Sequence, residues 1–509
     1  HMQAYRPDID GLRAIAVTSV VIYHALPGAV PSGFVGVDIF FAISGYLIGG
    51  IIYGGSTGNG FSFLNFYARR ARRILPALIV VVLATLAAGL VLLGTEPFME
   101  LTAQSIAALV GLSNVYFWGS TDYFANAAIY QPLMMTWSLG VEEQFYVAFP
   151  FVIFALLRAP ARWHVTLMGA LVAASLAVSV WSTSSTPLAA FYLMPSRAWE
   201  LAAGAALAIA HRQGLLTRLS LGVENLLALL GLALTLGSLF AFSHDTPFPG
   251  WAALMPIVGT LLLIQTRRSL INARILSAAP IVFIGLISYS WYLWHWPIMS
   301  YIHIIADFQP GPGVLLVAVA TSFVLAVLSW RLVEQPFRKS SARSRTTLLR
   351  YGAALGVALA IPAGLRISDG WPARLPEPVR LAENIAAEGR GTCLEPLGTQ
   401  SLHDTPACRP AGAQLALIGD SHASAAGPGL QAYADAHGLA LAQFTKSACT
   451  PLLGYGTVNR DYPGHAEACA RFLETSTRRI AADPDVKVIV IVSFWPFMGK
   501  EQVRPLTGS

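Results

Sequence analysis

The sequence predicts a polytopic α-helical membrane protein followed by a small α/β domain. Of its 509 residues, 55% are hydrophobic and only 12% are charged, which is about half the charged fraction of an ordinary soluble domain. Apolar runs, most of them about 17–25 residues long, recur along the chain, and this is the length that crosses a bilayer. After the last of them, β-branched runs alternate with helical patterns, which is typical of a parallel sheet covered by helices.

Apolar segments alternate with basic clusters over the first two thirds of the chain. The segments fall near residues 12–27, 35–52, 74–94, 101–118, 138–157, 165–182, 197–210, 223–241, 251–265, 280–305, 313–333 and 349–366. Positively charged loops stay in the cytoplasm, which places five loops there. Their basic residues are Arg69, Arg70, Arg72 and Arg73; Arg158 and Arg162; His211, Arg212 and Arg218; Arg267, Arg268 and Arg274; and Arg338, Lys339, Arg343, Arg345 and Arg350.

One apolar segment must fail to cross the membrane. Three segments separate the first two basic clusters, and an odd number of crossings cannot begin and end on the same side. Segment 101–118 is the most polar of the three, so we expect it to be a re-entrant or buried helix, which is allowed inside protein. Ten crossings then have both ends in the cytoplasm, and an eleventh, 349–366, carries the chain outward.

The remainder of the chain predicts a linker and an α/β domain. Residues 367–410 are rich in Pro, Gly and charge and indicate a linker. Strands are predicted at 415–418, 439–444 and 486–492, with helices at 423–436 and 466–481. All four cysteines lie here, which favours disulfides in an oxidising compartment. Proximity alone pairs Cys393 with Cys408 and Cys449 with Cys469; the alternative is four free thiols in the cytoplasm.

Ionisable side chains inside apolar segments are costly, so they face a cavity or a partner. These residues are His24, Asp38, Glu142, Glu143, Glu200 and His295. For any one of them alone, a structural salt bridge or hydrogen bond between helices is the more common explanation.

Arg13 and His24 lie eleven residues apart on one predicted helix. Eleven residues are about three turns, so both side chains share one face and are separated by roughly 16 Å of rise. A donor such as coenzyme A fits this spacing, because Arg13 and the Arg69–Arg73 cluster would bind its phosphates while its thioester arm reaches His24.

Two chemistries remain open at His24. Its imidazole would take the proton of a sugar hydroxyl that attacks the thioester, or it would itself accept and relay the acyl group. We expect a carboxylate, Asp38, Glu142 or Glu143, to orient the ring.

Several motifs occur in order along the chain. They are the Arg-x10-His pair ending at His24 and the runs Tyr5–Ala14, Gly33–Tyr46, Arg70–Pro76, Trp137–Tyr146, Ile287–Pro297 and Val333–Phe337. With these motifs the chain resembles the acyltransferase-3 family, in particular members that O-acetylate bacterial surface polysaccharide and carry a fused SGNH domain.

The resemblance implies ten core helices plus one linking helix, with domains at 3–340 (acyltransferase), 341–410 (linking helix and periplasmic linker) and 411–509 (SGNH-like). It implies catalytic roles for His24 and Glu142 and donor binding by Arg13, Arg70 and Arg73; we add Asp38, Glu143 and His295 to the candidate donor or substrate contacts. It further implies transfer of acetyl from cytoplasmic acetyl-CoA across the bacterial inner membrane to a surface glycan such as lipopolysaccharide O-antigen.

Ser421 follows a predicted strand in the run Gly419–His422. A serine at such a turn is a candidate nucleophile, and here the run resembles the first block of SGNH enzymes; the alternative is an ordinary helix cap. The family's Asp-x-x-His pair does not follow Ser421, since Asp461 and His465 are four apart. We therefore expect an incomplete domain whose serine lacks its activating base.

Two other functions compete with direct acetyl transfer. Intramembrane charges also suit a transporter or flippase for a lipid-linked glycan, although no paired halves with matching broken helices are evident. The membrane part would alternatively export acyl groups, with final transfer at Ser421. The expected partners are acetyl-CoA, a lipid-linked or polymeric glycan and membrane lipids, and no metal is expected. Nucleic acid is not expected either, because the net charge of +6 resides in short loop clusters.

Overall fold

The structure, a computed structural model, describes residues 5–26, 28–58, 60–120, 123, 126–216, 219–243, 245–306, 310–339, 342–389, 393–398, 405–459, 462, 464–495 and 503–505. Arg218 and Asp461, which the sequence analysis considered, lie outside these residues. The chain divides into two compact units, His1–Trp371 (the membrane unit) and Pro372–Ser509, which we call the outer unit after the location predicted for it. The domain limits predicted at residues 340 and 410 stay predictions.

The described part of the membrane unit consists of helices. They are α1 (Pro7–Ala25), α2 (Gly36–Thr57), α3 (Phe63–Leu92), α4 (Thr95–Leu109), α5 (Ser113–Ser120), α6 (Thr136–Leu156), α7 (His164–Ser185), α8 (Pro187–Tyr192), α9 (Met194–Arg212), α10 (Leu221–Ala241), α11 (Leu254–Gln265), α12 (Ala279–Ile305), α13 (Pro312–Ser329), α14 (Gln335–Arg338) and α15 (Ser344–Ile367). A π-helical turn, Trp330–Glu334, joins α13 to α14.

Seven helical segments in the described residues are long and apolar enough to cross a membrane. They are Gly33–Thr57, Phe63–Leu92, Thr136–Leu156, Ala161–Ser185, Leu221–Ala241, Pro312–Arg338 and Ser344–Ile367. Helix α11, at 12 residues, spans only about 18 Å, and α1 and α9 carry acidic and basic residues that reduce their hydropathy. The chain is thus a multi-span membrane protein, while the count of ten crossings plus one stays a prediction.

The polar segment 101–118 does not form one spanning helix. It is divided between α4, which has 15 residues, and α5, which has 8. Fifteen residues rise about 22 Å, less than the roughly 30 Å hydrocarbon core. Thr102 and Gln104 of α4 are buried inside the protein, as expected for a helix that does not face lipid.

Glycines allow the helices around the site to touch. A Cβ at Gly45 of α2 would collide with the carbonyl oxygen of Leu201 in α9, and one at Gly285 of α12 would collide with that of Asp10 in α1. Small residues permit such close backbone contact between membrane helices. The contact between α1 and α12 places the C-terminal half of α1 against the same helix that carries His295.

The outer unit contains the predicted parallel sheet. Its elements are α16 (Glu377–Gly389), β1 (Leu394–Glu395), β2 (Leu415–Gly419), α17 (Ser421–Ala436), β3 (Leu441–Lys446), β4 (Tyr455–Thr457), α18 (His465–Ala482), β5 (Val488–Val492) and β6 (Val503–Pro505). Strands β1, β3, β2 and β5 form the sheet in that order, and all neighbours are parallel.

Three features of the outer unit differ from the sequence prediction. Strand β1 and helix α16 both lie inside the segment 367–410 that we predicted to be a linker. Helix α16 forms because its Glu, Ala and Leu residues are good helix formers, a signal that the neighbouring Pro and Gly obscured. Strands β4 and β6 form an additional antiparallel pair that the sequence analysis missed, since each has only three residues.

Both disulfides are paired as proximity predicted. Cys393 joins Cys408 and Cys449 joins Cys469, with Cα–Cα separations of 5.3 and 5.5 Å. Three of these residues, Cys408, Cys449 and Cys469, are fully buried, and Cys449 and Cys469 pack in the core with Phe444 of β3 and Phe472 of α18.

Candidate active site

A cavity of about 1110 Å³, including its part open to solvent, lies among α1, α2, α3, α6 and α12. Its walls combine apolar residues of α2, such as Val37 and Phe41, with polar groups from all five helices. The polar lining residues are Arg13, Ser44, Arg70, Arg73, Ser138, Glu142, Tyr146, Ser288, Tyr289 and Tyr292. The structure therefore brings Arg13, Arg70, Arg73 and Glu142 together, as the sequence analysis predicted.

Arginines concentrate where this cavity meets a second recess of about 710 Å³. Arg69, Arg70, Arg72, Arg73 and Arg338 line the recess, and Arg70 and Arg73 line both spaces. Arg338 belongs to a different predicted basic cluster, and only the tertiary structure places it beside the others.

These arginines differ in what satisfies their charge. Arg13 pairs with Asp10 at 3.2 Å, and Arg72 donates to the hydroxyl of Thr347 at 2.7 Å and to the carbonyl oxygen of Ala342. Arg73 has neither a hydrogen bond nor an ion pair within the described residues. A partly buried cation without a protein partner is a ready contact for an anionic ligand.

Glu142 and Glu143 have separate surroundings. Glu142 accepts hydrogen bonds from Ser44 at 2.9 Å and from Tyr146 at 3.0 Å. Glu143 lies 3.7 Å from Arg70, whose guanidinium also stacks on the Tyr146 ring at 3.8 Å from its centroid. Glu143 thus positions an arginine of the cavity rather than lining the cavity itself.

His24 lies against His295 near the C-terminal end of α1. Its Nδ1 is 3.0 Å from Nε2 of His295, and its Nε2 is 3.0 Å from the hydroxyl of Tyr123. The two imidazoles stack with centroids 5.3 Å apart, and Trp296 packs edge-on at 4.5 Å. The expectation that a carboxylate orients His24 is therefore wrong for the described residues, in which a second histidine and a tyrosine contact its ring nitrogens.

A layer of side chains separates His24 from the arginine-lined cavity. Along α12 the cavity is lined as far as Tyr292 and Leu293, and neither His24 nor His295 is among the lining residues. The Tyr292 ring lies 5.5 Å from that of His295, and its hydroxyl is held by Ser138 at 2.8 Å and Met135 at 2.9 Å. Tyr292 thus lines the cavity and contacts His295, and the continuous passage expected from Arg13 to His24 stays a prediction.

Asp38 lies away from this cavity, in a buried ion cluster. Arg197 of α9 contacts Asp38 at 2.8 Å and Glu200 at 2.9 Å, and all three side chains are at most 1% exposed. The salt bridge between helices considered for Asp38 is present, whereas that of Glu200 lies within α9. Arg197 is the first residue of the apolar segment predicted at 197–210, and the sequence analysis left it out of the intramembrane charges; α9 begins three residues earlier and buries it.

The outer unit exposes Ser421 at the turn from β2 into α17. The side chain of Asp420 caps the helix by accepting from the His422 N–H at 2.8 Å, and it also accepts from Ser493 and Phe494 of the segment after β5. Gly419 allows this turn to approach β5, since a Cβ there would collide with the Val492 carbonyl oxygen. The turn is rigidly positioned.

No base contacts Ser421 within the described residues. His465 is fully buried; its Nδ1 accepts from the Gly398 N–H at 3.2 Å, and its Nε2 lies 3.1 Å from the Ala448 carbonyl oxygen. Burial lowers the pKa of His465 below its usual value, so it is a neutral, structural histidine. This matches the expectation that His465 is not the partner of Ser421.

The chain thus combines a multi-span helical unit, which has an arginine-lined cavity and a histidine pair, with a parallel α/β unit that carries a serine on a strand-to-helix turn. These features point to the class of membrane acyltransferases. Residues 6–331 match the acyltransferase domain family, and residues 392–507 match the SGNH domain that is fused to such domains. The chain belongs to this acyltransferase family and carries the fused SGNH domain.

The relatives agree with this assignment. The peptidoglycan O-acetyltransferase OatA of Listeria monocytogenes is 30% identical over 355 residues, which cover 67% of this chain and 57% of that protein. The Komagataeibacter xylinus protein named "Putative membrane-bound transacylase BcsY" is 31% identical over 353 residues, 69% of this chain and 88% of that protein. The chain thus spans little more than half of the Listeria relative. No solved structure matches it.

Proposed function

We propose that this protein transfers an acetyl group from cytoplasmic acetyl-CoA to a hydroxyl of a glycan on the outer side of a bacterial inner membrane. The observation that carries the proposal is the pairing of one cavity, lined by Arg13, Arg70 and Arg73, with the His24–His295 pair one helical turn beyond its end.

The arginine-lined end suits the donor. Acetyl-CoA carries its negative charges on phosphates at one end and its thioester at the other. Arginine binds phosphate through a planar fork of donors. Arg73 makes no ion pair or hydrogen bond within the described residues, although the carboxylates of Glu142 and Glu334 interact with it electrostatically. The apolar wall formed by α2 residues such as Phe41 and Leu47 suits the uncharged arm that leads to the thioester.

His24 supplies the proton transfer. The acceptor hydroxyl forms a C–O bond to the thioester carbonyl as its proton moves to His24, and the C–S bond then breaks. The leaving thiolate takes the proton back, which restores neutral His24 and gives the acetyl ester and free coenzyme A. General base catalysis of this kind contributes about 10²–10⁴-fold to a rate.

The Tyr292 layer adds a conformational step. For a thioester held in the cavity to reach His24, the Tyr292 side chain must leave Ser138 and Met135, to which it is hydrogen-bonded. Such a gate keeps the two sides of the membrane separate while no donor is bound.

The acceptor is a surface glycan such as lipopolysaccharide O-antigen or a lipid-linked precursor. Two disulfides in the outer unit favour an oxidising, extracytoplasmic location for that unit. A relative named for peptidoglycan makes peptidoglycan fragments the second acceptor class to assay.

The test is acetyl transfer by the full chain in vesicles loaded with acetyl-CoA, with candidate glycans outside and products identified by mass spectrometry. His24→Ala should lower the transfer rate by about 10²–10⁴-fold without changing the folded yield. Transfer at the wild-type rate would reject the role of His24, and transport of intact glycan without acetylation would favour a flippase. Loss of transfer in Ser421→Ala, with CoA release retained, would indicate export by the membrane unit and final transfer in the outer unit.

A further inference from the structure

The backbone of α12 determines which nitrogen of His295 carries a proton. His295 Nδ1 lies 2.6 Å from the carbonyl oxygen of Tyr292. A carbonyl oxygen only accepts, so Nδ1 carries the hydrogen. His295 is fully buried, and no carboxylate among the described residues contacts its ring, so the neutral imidazole is the stable form. Its Nε2 is then a hydrogen-bond acceptor.

The position of the hydrogen on His295 also determines which nitrogen of His24 carries one, through the hydrogen bond between the two rings. Because His295 Nε2 is an acceptor 3.0 Å away, His24 Nδ1 must be the donor and carry the hydrogen. A neutral His24 then has its lone pair on Nε2. The hydroxyl of Tyr123, 3.0 Å from that atom, donates to it, which completes a chain with one hydrogen in each contact.

We propose that His295 is a positioning residue that fixes His24 in the Nδ1–H tautomer, so that Nε2 of His24 is the atom that reacts. The inference deepens the proposed function and rests on it. Nε2 is the required atom whether His24 acts as a base or as the acyl carrier, because both roles use a lone pair.

His295 also contributes as the reaction proceeds. When Nε2 takes the acceptor proton, His24 becomes an imidazolium, and its Nδ1–H bond to His295 becomes charge-assisted and therefore stronger. An interaction that strengthens only as charge develops lowers the barrier without tightening ground-state binding. The expected signature is a change in kcat with little change in KM.

Two substitutions at residue 295 separate this role from packing. His295→Phe keeps a flat ring but removes both nitrogens, and we expect kcat to fall roughly 10- to 100-fold, the loss of one charge-assisted hydrogen bond, with KM for acetyl-CoA within about twofold. In His295→Gln the side-chain amide oxygen takes the place of Nε2 as acceptor, so kcat should recover to within about threefold of wild type.

A matched control removes a different buried hydrogen bond from the same helix. Trp291 Nε1 donates to Ser322 at 3.0 Å between α12 and α13, and neither residue lines the cavity. Ser322→Ala should leave kcat unchanged. If it lowered kcat as much as His295→Phe does, the effect would belong to helix packing and the proposal would fall.

A spectroscopic measurement reads the tautomer directly. In histidine-labelled full-length protein, the ¹⁵N signals of His24, assigned by their loss in His24→Gln, should show a protonated Nδ1 and an unprotonated Nε2. A protonated Nε2 in the wild type would overturn the inference even if every variant at residue 295 failed to fold. An unchanged kcat with raised KM in His295→Phe would do so too, and would make His295 a donor contact.

The proposed function and this inference fail separately. Full acetyl transfer by His24→Ala would reject the former, while the ¹⁵N measurement would still report the tautomer. Loss of transfer in His24→Ala together with wild-type kcat in His295→Phe would reject only the latter.

Discussion

In the membrane unit, Arg197 is buried between Asp38 and Glu200, whereas in the outer unit the ion pair of Arg478 and Glu474 lies on the surface and two disulfides cross-link the fold. Inside the bilayer no water is available, so buried polar groups must satisfy one another. The outer unit has a four-stranded sheet and a small core, and covalent links limit its unfolded state.

The same comparison applies to the two candidate reactive residues. His24 has a hydrogen-bonded partner at each ring nitrogen, and Tyr292 separates it from the arginine-lined cavity. Ser421 is exposed on a well-braced turn and has no base among the described residues. Within the described residues, the contacts that would assist a reactive side chain are therefore found at His24 and not at Ser421.

The largest effect should follow loss of the buried cation. Arg197→Met leaves two carboxylates without a counterion and should lower the free energy of unfolding by about 3–5 kcal/mol, measured by thermal and denaturant unfolding in detergent. The triple variant D38N/R197M/E200Q removes the stranded charges and should recover most of that loss. An Arg197→Met protein as stable as wild type would show that the cluster is not stabilising.

Next in size is the disulfide of the outer unit. Replacing both Cys449 and Cys469, which are 20 residues apart, by Ala should destabilise the outer unit by about 3 kcal/mol through the extra entropy of its unfolded chain. Hydrogen exchange in β2 and β3 of the full-length protein measures this. Acetyl transfer at His24 should persist, and equal loss in both units would contradict their independent stabilisation.

A smaller effect, on KM for acetyl-CoA, should distinguish an arginine that lines the cavity from an exposed arginine elsewhere. Arg73→Ala should raise KM for acetyl-CoA about tenfold, which corresponds to about 1.4 kcal/mol, with less effect on KM for the glycan. Arg267, exposed and outside both cavities, provides the control, since Arg267→Ala removes the same charge elsewhere. Equal KM values for the two variants would exclude direct donor binding by Arg73.

The smallest effect is expected at the surface pair. Arg478 and Glu474 are four residues apart on α18 and largely exposed, at 78% and 57%, so Arg478→Ala should change the free energy of unfolding by less than about 0.5 kcal/mol. Denaturant unfolding checks this at low and high salt. A loss approaching that of Arg197→Met would remove the contrast between buried and exposed pairs.

The sequence by itself determined those features that depend on neighbours along the chain. Hydropathy, loop charge, periodicity and proximity predicted helix α1 with Arg13 and His24 on it, a segment 101–118 that does not cross the membrane, alternating strands and helices in the outer unit, and both disulfide pairs. Helix α16 was missed because local Pro and Gly content outweighed its helix-forming residues.

Only the tertiary structure decided which helices meet. His24 and His295 are 271 residues apart and Asp38 and Arg197 are 159 apart, and no local pattern relates the members of either pair. Their contacts depend on which helix faces pack together, and that is governed by close approaches such as those at Gly45 and Gly285. For the same reason the partner of His24, the ion cluster at Asp38 and the Tyr292 layer became visible only in three dimensions.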